Sequence, residues 1–359
     1  MARRPRTAPA APPPRSDGGD PASAWPELDL LLGNRESVAR LGASAAAGRL
    51  GHAVLLTGPA QVGKTALCLA LAAELLGRRS WPGGLAGHPD LWLEDSGDEA
   101  VRIDRVRAGR EPGSLQEFLA KRPYMGGARV AVLARADRLT EQAANSLLKT
   151  IEEPPPGSHL LLTATTAEGL PATIVSRCQR TALGPVGSAE ISAWLRTRHG
   201  VADRVAEEAA ELAAGRPGRA LRLATDPSSL AEELSILDHF LEIVPGDPGA
   251  ALAAASELAP AAGAEGRERL LLDLAIWASF VRDAAAAAAG APELVRWASR
   301  RDAVDRWAAG TPAARAGEIL DKLIGATAAV VANAQPRLLL EVLFLEIFAG
   351  RPVQPAATP

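Results

Sequence analysis

A chain of 359 residues, with 39 Lys+Arg against 42 Asp+Glu, has room for two or three domains with buried cores. Its net charge of −3 excludes a protein that coats nucleic acid by bulk charge, so any DNA contact would be local or made through partners. The two cysteines, Cys68 and Cys178, are too few for a disulfide framework and lack metal-ligand spacing, which points to a reducing, cytoplasmic setting; no apolar run approaches bilayer-spanning length, so no membrane partner is expected.

In chain order, residues 1–24 are rich in Pro, Ala and Arg with little to bury, and read as a disordered tail. Because that tail is basic, a transit peptide is the rival reading, but its prolines work against the amphipathic helix such signals use. From residue 25 to residue 185 apolar runs alternate with helical periodicity, the pattern of a parallel sheet covered on both faces. Strands are expected at Ala53–Thr57, Leu91–Glu94, Arg129–Ala134, Leu160–Ala164 and Thr181–Leu183. Helices are expected at Glu36–Ala47, Thr65–Leu76, Ile103–Arg110, Gly113–Lys121 and Glu141–Glu152. Gly184-Pro185 ends the pattern.

Residues 186–226 form a small helical lid: one helix opens at Ser188 with Ile191, Trp194 and Leu195 on one face, and others cover Asp203–Ala214 and Arg219–Thr225. Residues 227–350 read as all-α. Trp277, Phe280 and Val281 mark a buried face, and Leu338 to Leu345 is apolar nearly all round, which predicts an enclosed helix. Residues 351–359 read as frayed.

One stretch carries chemistry outright. Gly58-Pro59-Ala60-Gln61-Val62-Gly63-Lys64-Thr65 is a G-x-x-x-x-G-K-[ST] loop between an expected strand and an expected helix. Glycines let such a loop curl so that its N–H groups and the helix N-terminus face an anion. Lys64 then reaches the terminal phosphates and Thr65 reaches Mg²⁺, which makes a nucleoside triphosphate pocket.

Beyond that loop, the chain resembles the bacterial clamp-loader subunits of the AAA+ class, and within them the delta prime family of DNA polymerase III. The matching pieces are His88-Pro89-Asp90-Leu91, the run from Arg122 to Val130, Asn145-Ser146-Leu147-Leu148-Lys149 leading into Glu152-Glu153-Pro154-Pro155, Ser176-Arg177-Cys178, and Pro336-Arg337-Leu338-Leu339-Leu340-Glu341. The resemblance covers nearly everything from Trp25 to Gly350. It implies a pentameric ring with gamma/tau and delta subunits, fixed by residues 227–350 as a helical collar, that uses ATP to set a sliding clamp on primed DNA. It also implies that Arg177 acts as an arginine finger in the ATP site of a neighbouring subunit.

Aligned on the downstream Asn-Ser-Leu-Leu-Lys segment, the family's metal-binding Asp falls on Ala134 and its water-orienting Glu on Arg135. An alternative has Asp137, three residues on, return as the missing acid. The preferred expectation is a pocket that binds ATP or ADP, with Mg²⁺ carried by the nucleotide, and hydrolyses it poorly or not at all. Thr165 and Thr166 stand at the polar sensor position, or equally bond their own backbone. In the lid, Gly218 stands where motor subunits carry a phosphate-touching Arg, and Arg219 is one residue along, a rotation of about 100° on a helix, which makes it a degenerate sensor candidate. The zinc module of many family members is not expected, since the stretch from Arg78 to Gly87 contains no cysteine. The alternative function is a gamma/tau-type ATPase motor; a helicase or RecA-like motor is disfavoured because it has no use for the Ser-Arg-Cys segment.

Overall fold

The computed structural model describes residues 27–28, 31–78, 87–95, 97, 100–109, 113–243, 248–260 and 263–349. The expectations for residues 1–24, for residues 351–359, for the far end of the Ile103–Arg110 helix and for most of the Arg78–Gly87 stretch lie outside these residues. The chain divides into two compact units, residues 1–185 and 186–359.

Five parallel strands build the first unit: β1 (Ala53–Thr57), β2 (Leu91–Glu94), β3 (Arg129–Leu133), β4 (Ser158–Ala164) and β5 (Gln179–Ala182), in the order β2-β3-β4-β1-β5. The interleaved helices are α1 (Arg35–Ala46), α2 (Lys64–Leu75), α3 (Ile103–Val106), α4 (Leu115–Ala120), α5 (Glu141–Glu152) and α6 (Ala172–Val175). Strand side chains alternate between faces, and here both faces are covered. Along β1, Ala53 and Leu55 join the core beneath α5, while Val54 and Leu56 join the one beneath α1 and α2. The central stretches Ala53–Leu56 of β1, Val130–Leu133 of β3 and Leu160–Leu162 of β4 therefore read as unbroken apolar runs.

β1, β2 and α5 have their expected bounds, and α5 begins where the Thr140 hydroxyl accepts from Ala143 N–H. The differences lie at edges. β4 starts at Ser158, whose N–H and hydroxyl both donate to Pro155 C=O and close the preceding turn. β5 starts at Gln179, because Gln179 and Arg180 pair with Val54 and Leu55 at the sheet edge while their side chains stay in solvent, a pattern that reads as loop. α3 is a single turn, shorter than expected.

The second unit is helical: α7 (Ser188–His199), α8 (Asp203–Leu212), α9 (Pro217–Thr225), α10 (Pro227–Ile243), α11 (Pro248–Leu258), α12 (Ala264–Ala288), α13 (Arg301–Gly310), α14 (Ala313–Val331) and α15 (Pro336–Ala349). α9 begins at Pro217 rather than Arg219, since proline fits a first helical turn whose N–H would be unpaired anyway. Trp277, Phe280 and Val281 are fully buried. The Trp277 ring stacks on Phe240 at 5.2 Å, and its Nε1–H donates to Ile236 C=O at 3.0 Å, so a large ring is buried without stranding its polar edge.

One expectation is corrected. α15 is not enclosed all round: Leu340, Leu343, Phe344 and Ile347 are buried, but Leu338, Val342 and Leu345 are exposed at 56%, 44% and 41%. The exposed three recur at i, i+4 and i+7, a stripe along one side of the helix.

Candidate nucleotide-binding site

β1 delivers the Gly58–Thr65 loop onto α2. Gly58 has φ 142°, and a Cβ there would lie 2.2 Å from the backbone oxygen of Leu183, just past the end of β5. Only glycine fits, because the neighbouring strand presses on the loop's first residue. Gly63, at φ 107°, precedes α2 and offers no side-chain cap, so N–H groups of the first turn remain for an anion. The buried Lys64 folds back over the loop, its ammonium donating to Gly58 C=O and Pro59 C=O at 2.7 Å each. Burial holds its pKa below the usual lysine value; the Asp137 carboxylate opposes that shift and the Arg135 guanidinium adds to it. Loop, lysine and helix start thus form a curled cradle of donors around a cation.

At the end of β3, positions 134 and 135 carry no carboxylate. Ala134 is a buried methyl-bearing residue whose N–H donates to Glu94 C=O. Arg135 takes a left-handed turn at φ 55°, its N–H held by the Thr163 hydroxyl at 2.9 Å and its guanidinium donating to Gly97 C=O at 2.9 Å. That turn sends the chain back, so that Asp137 Oδ2 accepts from Thr165 N–H at 3.1 Å. Thr165 C=O in turn accepts from Gly58 N–H at 3.1 Å. Thr165 therefore meets this site through its backbone, and Thr163, which sequence reasoning passed over as a plain strand residue, supplies the structuring hydroxyl.

Arg177 lies elsewhere. It follows α6 and precedes β5, and β5 runs parallel to β1 with Val54 opposite Gln179 and Thr57 opposite Ala182. Arg177 is thus at the strand-start edge of the sheet, while the loop is at the strand-end edge, roughly 20 Å away at about 3.3 Å per residue. Its side chain is 42% exposed, pairs with Glu152 at the end of α5 at 2.8 Å, and donates to Thr173 C=O at 3.1 Å. It does not serve its own loop.

The motif around Asp90 has a structural explanation. Fully buried Asp90 accepts from Tyr124 N–H at 2.6 Å and Met125 N–H at 2.8 Å, and its own N–H donates to His88 Nδ1 at 3.1 Å. The segments 88–91 and 122–130 are therefore two halves of one fastening, completed by Arg129, which lies over the Phe118 ring at 4.4 Å. Burial pushes the Cys68 thiol up to about 12, against the pull of Lys64, and the Cys178 thiol up to about 11, so neither is a thiolate nucleophile near neutral pH. Among the described residues no group of three metal-ligating side chains occurs, and no helix is long and apolar enough to cross a membrane.

In the helical unit Arg219 is buried near the start of α9, and its guanidinium donates to Glu233 of α10 at 2.6 Å. Arg216, beside it, is pushed down to about 10 by burial, with Arg219 adding to the shift and Glu233 opposing it. The sensor candidate is thus a guanidinium already held by a carboxylate.

The family model described as "DNA polymerase III, delta subunit" matches residues 33–187. DNA polymerase III subunit delta′ of Escherichia coli K12 is 32% identical over 242 residues, 63% of this chain and 71% of that protein. The chain belongs to the DNA polymerase III delta′ family. The delta′ subunit of Pseudomonas aeruginosa is 35% identical over 189 residues, 48% of this chain but only 55% of that protein, so the match spans little more than half of this relative's length. DNA polymerase III subunit tau of E. coli K12 is 29% identical over 153 residues, 41% of this chain and 24% of that protein. Beside that membership stand a five-stranded parallel sheet in the first unit and helices alone in the second, among the described residues.

Proposed function

We propose that this chain acts as the delta′ subunit of a DNA polymerase III clamp loader: it holds nucleotide statically and lends Arg177 to the ATP site of an adjacent gamma/tau subunit while the ring loads a sliding clamp onto primed DNA. The observation that carries this reading is the placement of Arg177, on the sheet edge opposite the chain's own loop, where a hydrogen bond to Thr173 C=O and a solvent-exposed ion pair with Glu152 hold it. Such a pair contributes about 0–1 kcal/mol, so the guanidinium is released at little cost when a phosphate-bearing neighbour approaches. There its planar donors offset charge that develops on the transferring phosphoryl group.

The chain's own loop binds without turning over. Gly58–Thr65 would wrap the phosphates of ATP or ADP, Lys64 would exchange its bonds to the Gly58 and Pro59 carbonyls for phosphate oxygens, and the Thr65 hydroxyl would hold Mg²⁺. Bound Mg²⁺ supplies charge neutralisation between phosphates. No carboxylate occupies position 134 or 135, and the position aligned with the water-orienting Glu is Arg135, whose guanidinium donates to Gly97 C=O, which weighs against the gamma/tau motor reading. Thr165 and Arg219 keep subsidiary sensor roles, Arg219 only once it is freed from Glu233.

Residues 186–226 serve as the lid and residues 227–350 as the collar of the ring, with the open stripe of Leu338, Val342 and Leu345 as a collar contact. Reconstitution tests the assignment. Mixed with gamma/tau and delta subunits, the chain is expected to co-elute as one complex whose ATP turnover responds to clamp and primed DNA. Failure to enter that complex overturns the reading.

A further inference from the structure

We propose that Asp137 is the metal-facing carboxylate of the nucleotide site, with its Oδ1 taking the divalent cation that accompanies a bound nucleoside di- or triphosphate. This rests on the reading that the Gly58–Thr65 loop binds nucleotide, and adds to it a residue outside the position where the family carries its metal-binding acid.

Asp137 lies in a 3₁₀ turn, Ala136–Arg138, that the left-handed residue Arg135 throws back toward the end of β4. Its carboxylate is anchored on one side only. Oδ2 accepts from Thr165 N–H, and Thr165 C=O accepts from Gly58 N–H, so two hydrogen bonds through one residue link the carboxylate to the first residue of the loop. The room it occupies exists because residue 169 is glycine: a Cβ there would approach Asp137 Cβ to 3.2 Å.

Oδ1 is shut off from solvent and has no hydrogen-bond partner among the described residues. A carboxylate oxygen in that condition is costly, because desolvation is not repaid by any donor. The nearby Lys64 does not resolve it, since its ammonium donates to the Gly58 and Pro59 carbonyls and makes no bond to Oδ1, although the charges of Asp137 and Lys64 are felt by one another. A hard divalent cation is the partner that suits a lone carboxylate oxygen beside a phosphate cradle, and such a cation takes one or two carboxylates and completes its shell with phosphate and water oxygens.

The arrangement separates two duties that motor subunits place on adjacent residues. Asp137 holds the metal. No carboxylate stands at 135 to orient a water, because that residue is an arginine tied to Gly97. The consequence is a chain that grips metal–nucleotide and leaves the terminal phosphate intact.

The test is a titration of the full chain with a fluorescent ADP analogue, in Mg²⁺ and in EDTA, for wild type, Asp137→Asn and Asp137→Glu, with Lys64→Ala to mark loss of the cradle. Asparagine keeps an acceptor for Thr165 N–H, and thermal melts establish that each variant is folded. Wild type is expected to bind at least about tenfold more tightly with Mg²⁺ than without, and Asp137→Asn to keep the metal-free affinity while losing that gain; the glutamate variant recovers part of it. With Mn²⁺ in place of Mg²⁺, the spin-resonance signal of protein-bound Mn–nucleotide is expected in wild type and is lost in Asp137→Asn. An unchanged Mg²⁺ gain in Asp137→Asn overturns the assignment of Asp137 and leaves nucleotide binding standing. Absence of any nucleotide binding by wild type, with or without metal, overturns both.

Discussion

Replacing Arg177 by alanine is expected to lower ATP hydrolysis at the neighbouring site of the assembled clamp loader by about 10³- to 10⁵-fold, the range over which arginine fingers act in other phosphoryl-transfer systems. The chain itself should hardly notice. Arg177 and Glu152 are 42% and 48% exposed, so their ion pair is screened and contributes about 0–1 kcal/mol at most. The melting temperature of the isolated variant should therefore stay close to wild type, and the complex should still assemble. Arg177→Lys is expected to recover little, because an ammonium lacks the planar fork that meets two phosphate oxygens together. Unaltered hydrolysis at the adjacent site in Arg177→Ala would remove Arg177 from the chemistry.

The second large effect falls on stability. Glu233→Ala is expected to destabilise the helical unit by about 3–5 kcal/mol, read as a shift in its chemical denaturation midpoint, because the substitution leaves a buried guanidinium without its anion. Arg219 is 6% exposed and Glu233 9% exposed at the side chain, so solvent cannot stand in for the lost partner. The loss is compounded by neighbours. Arg216 feels Arg219 and Arg222 as repulsion and Glu233 as its compensating charge, so the alanine variant leaves a cluster of three cations. Replacing Arg219 and Glu233 together by leucines should cost far less than Glu233→Ala, since two apolar groups leave no charge stranded. If the double variant is as unstable as the single one, the burial of an unpaired charge is not the cause.

What was legible in the sequence was local. The Gly58–Thr65 loop announces itself because its phosphate-binding geometry depends on residues adjacent in the chain, and β1, β2 and α5 have clear apolar runs and, for α5, a threonine cap. The start of β5 was hidden because edge strands need no apolar face on either side, and Gln179 and Arg180 look like loop residues. For α15 the composition was read correctly and its environment was not. An apolar helix can be enclosed by its own chain or by another, and hydropathy does not distinguish the two.

The arrangement at the end of β3 was only half legible. The absence of acids at Ala134 and Arg135 is a matter of register, but the return of Asp137 to Thr165 depends on a left-handed turn at a non-glycine residue, which no pattern in the chain signals. Asp90 with Tyr124, and Arg219 with Glu233, are separated by 34 and 14 residues, so the motifs were visible while their partners were not.

The proposed site grips ATP and does not cleave it. A single-turnover experiment with γ-labelled ATP and Mg²⁺ on the isolated chain tests that most directly. The expected result is labelled nucleotide bound to the protein and recovered intact after many minutes. Release of labelled phosphate in an amount matching the protein would contradict it.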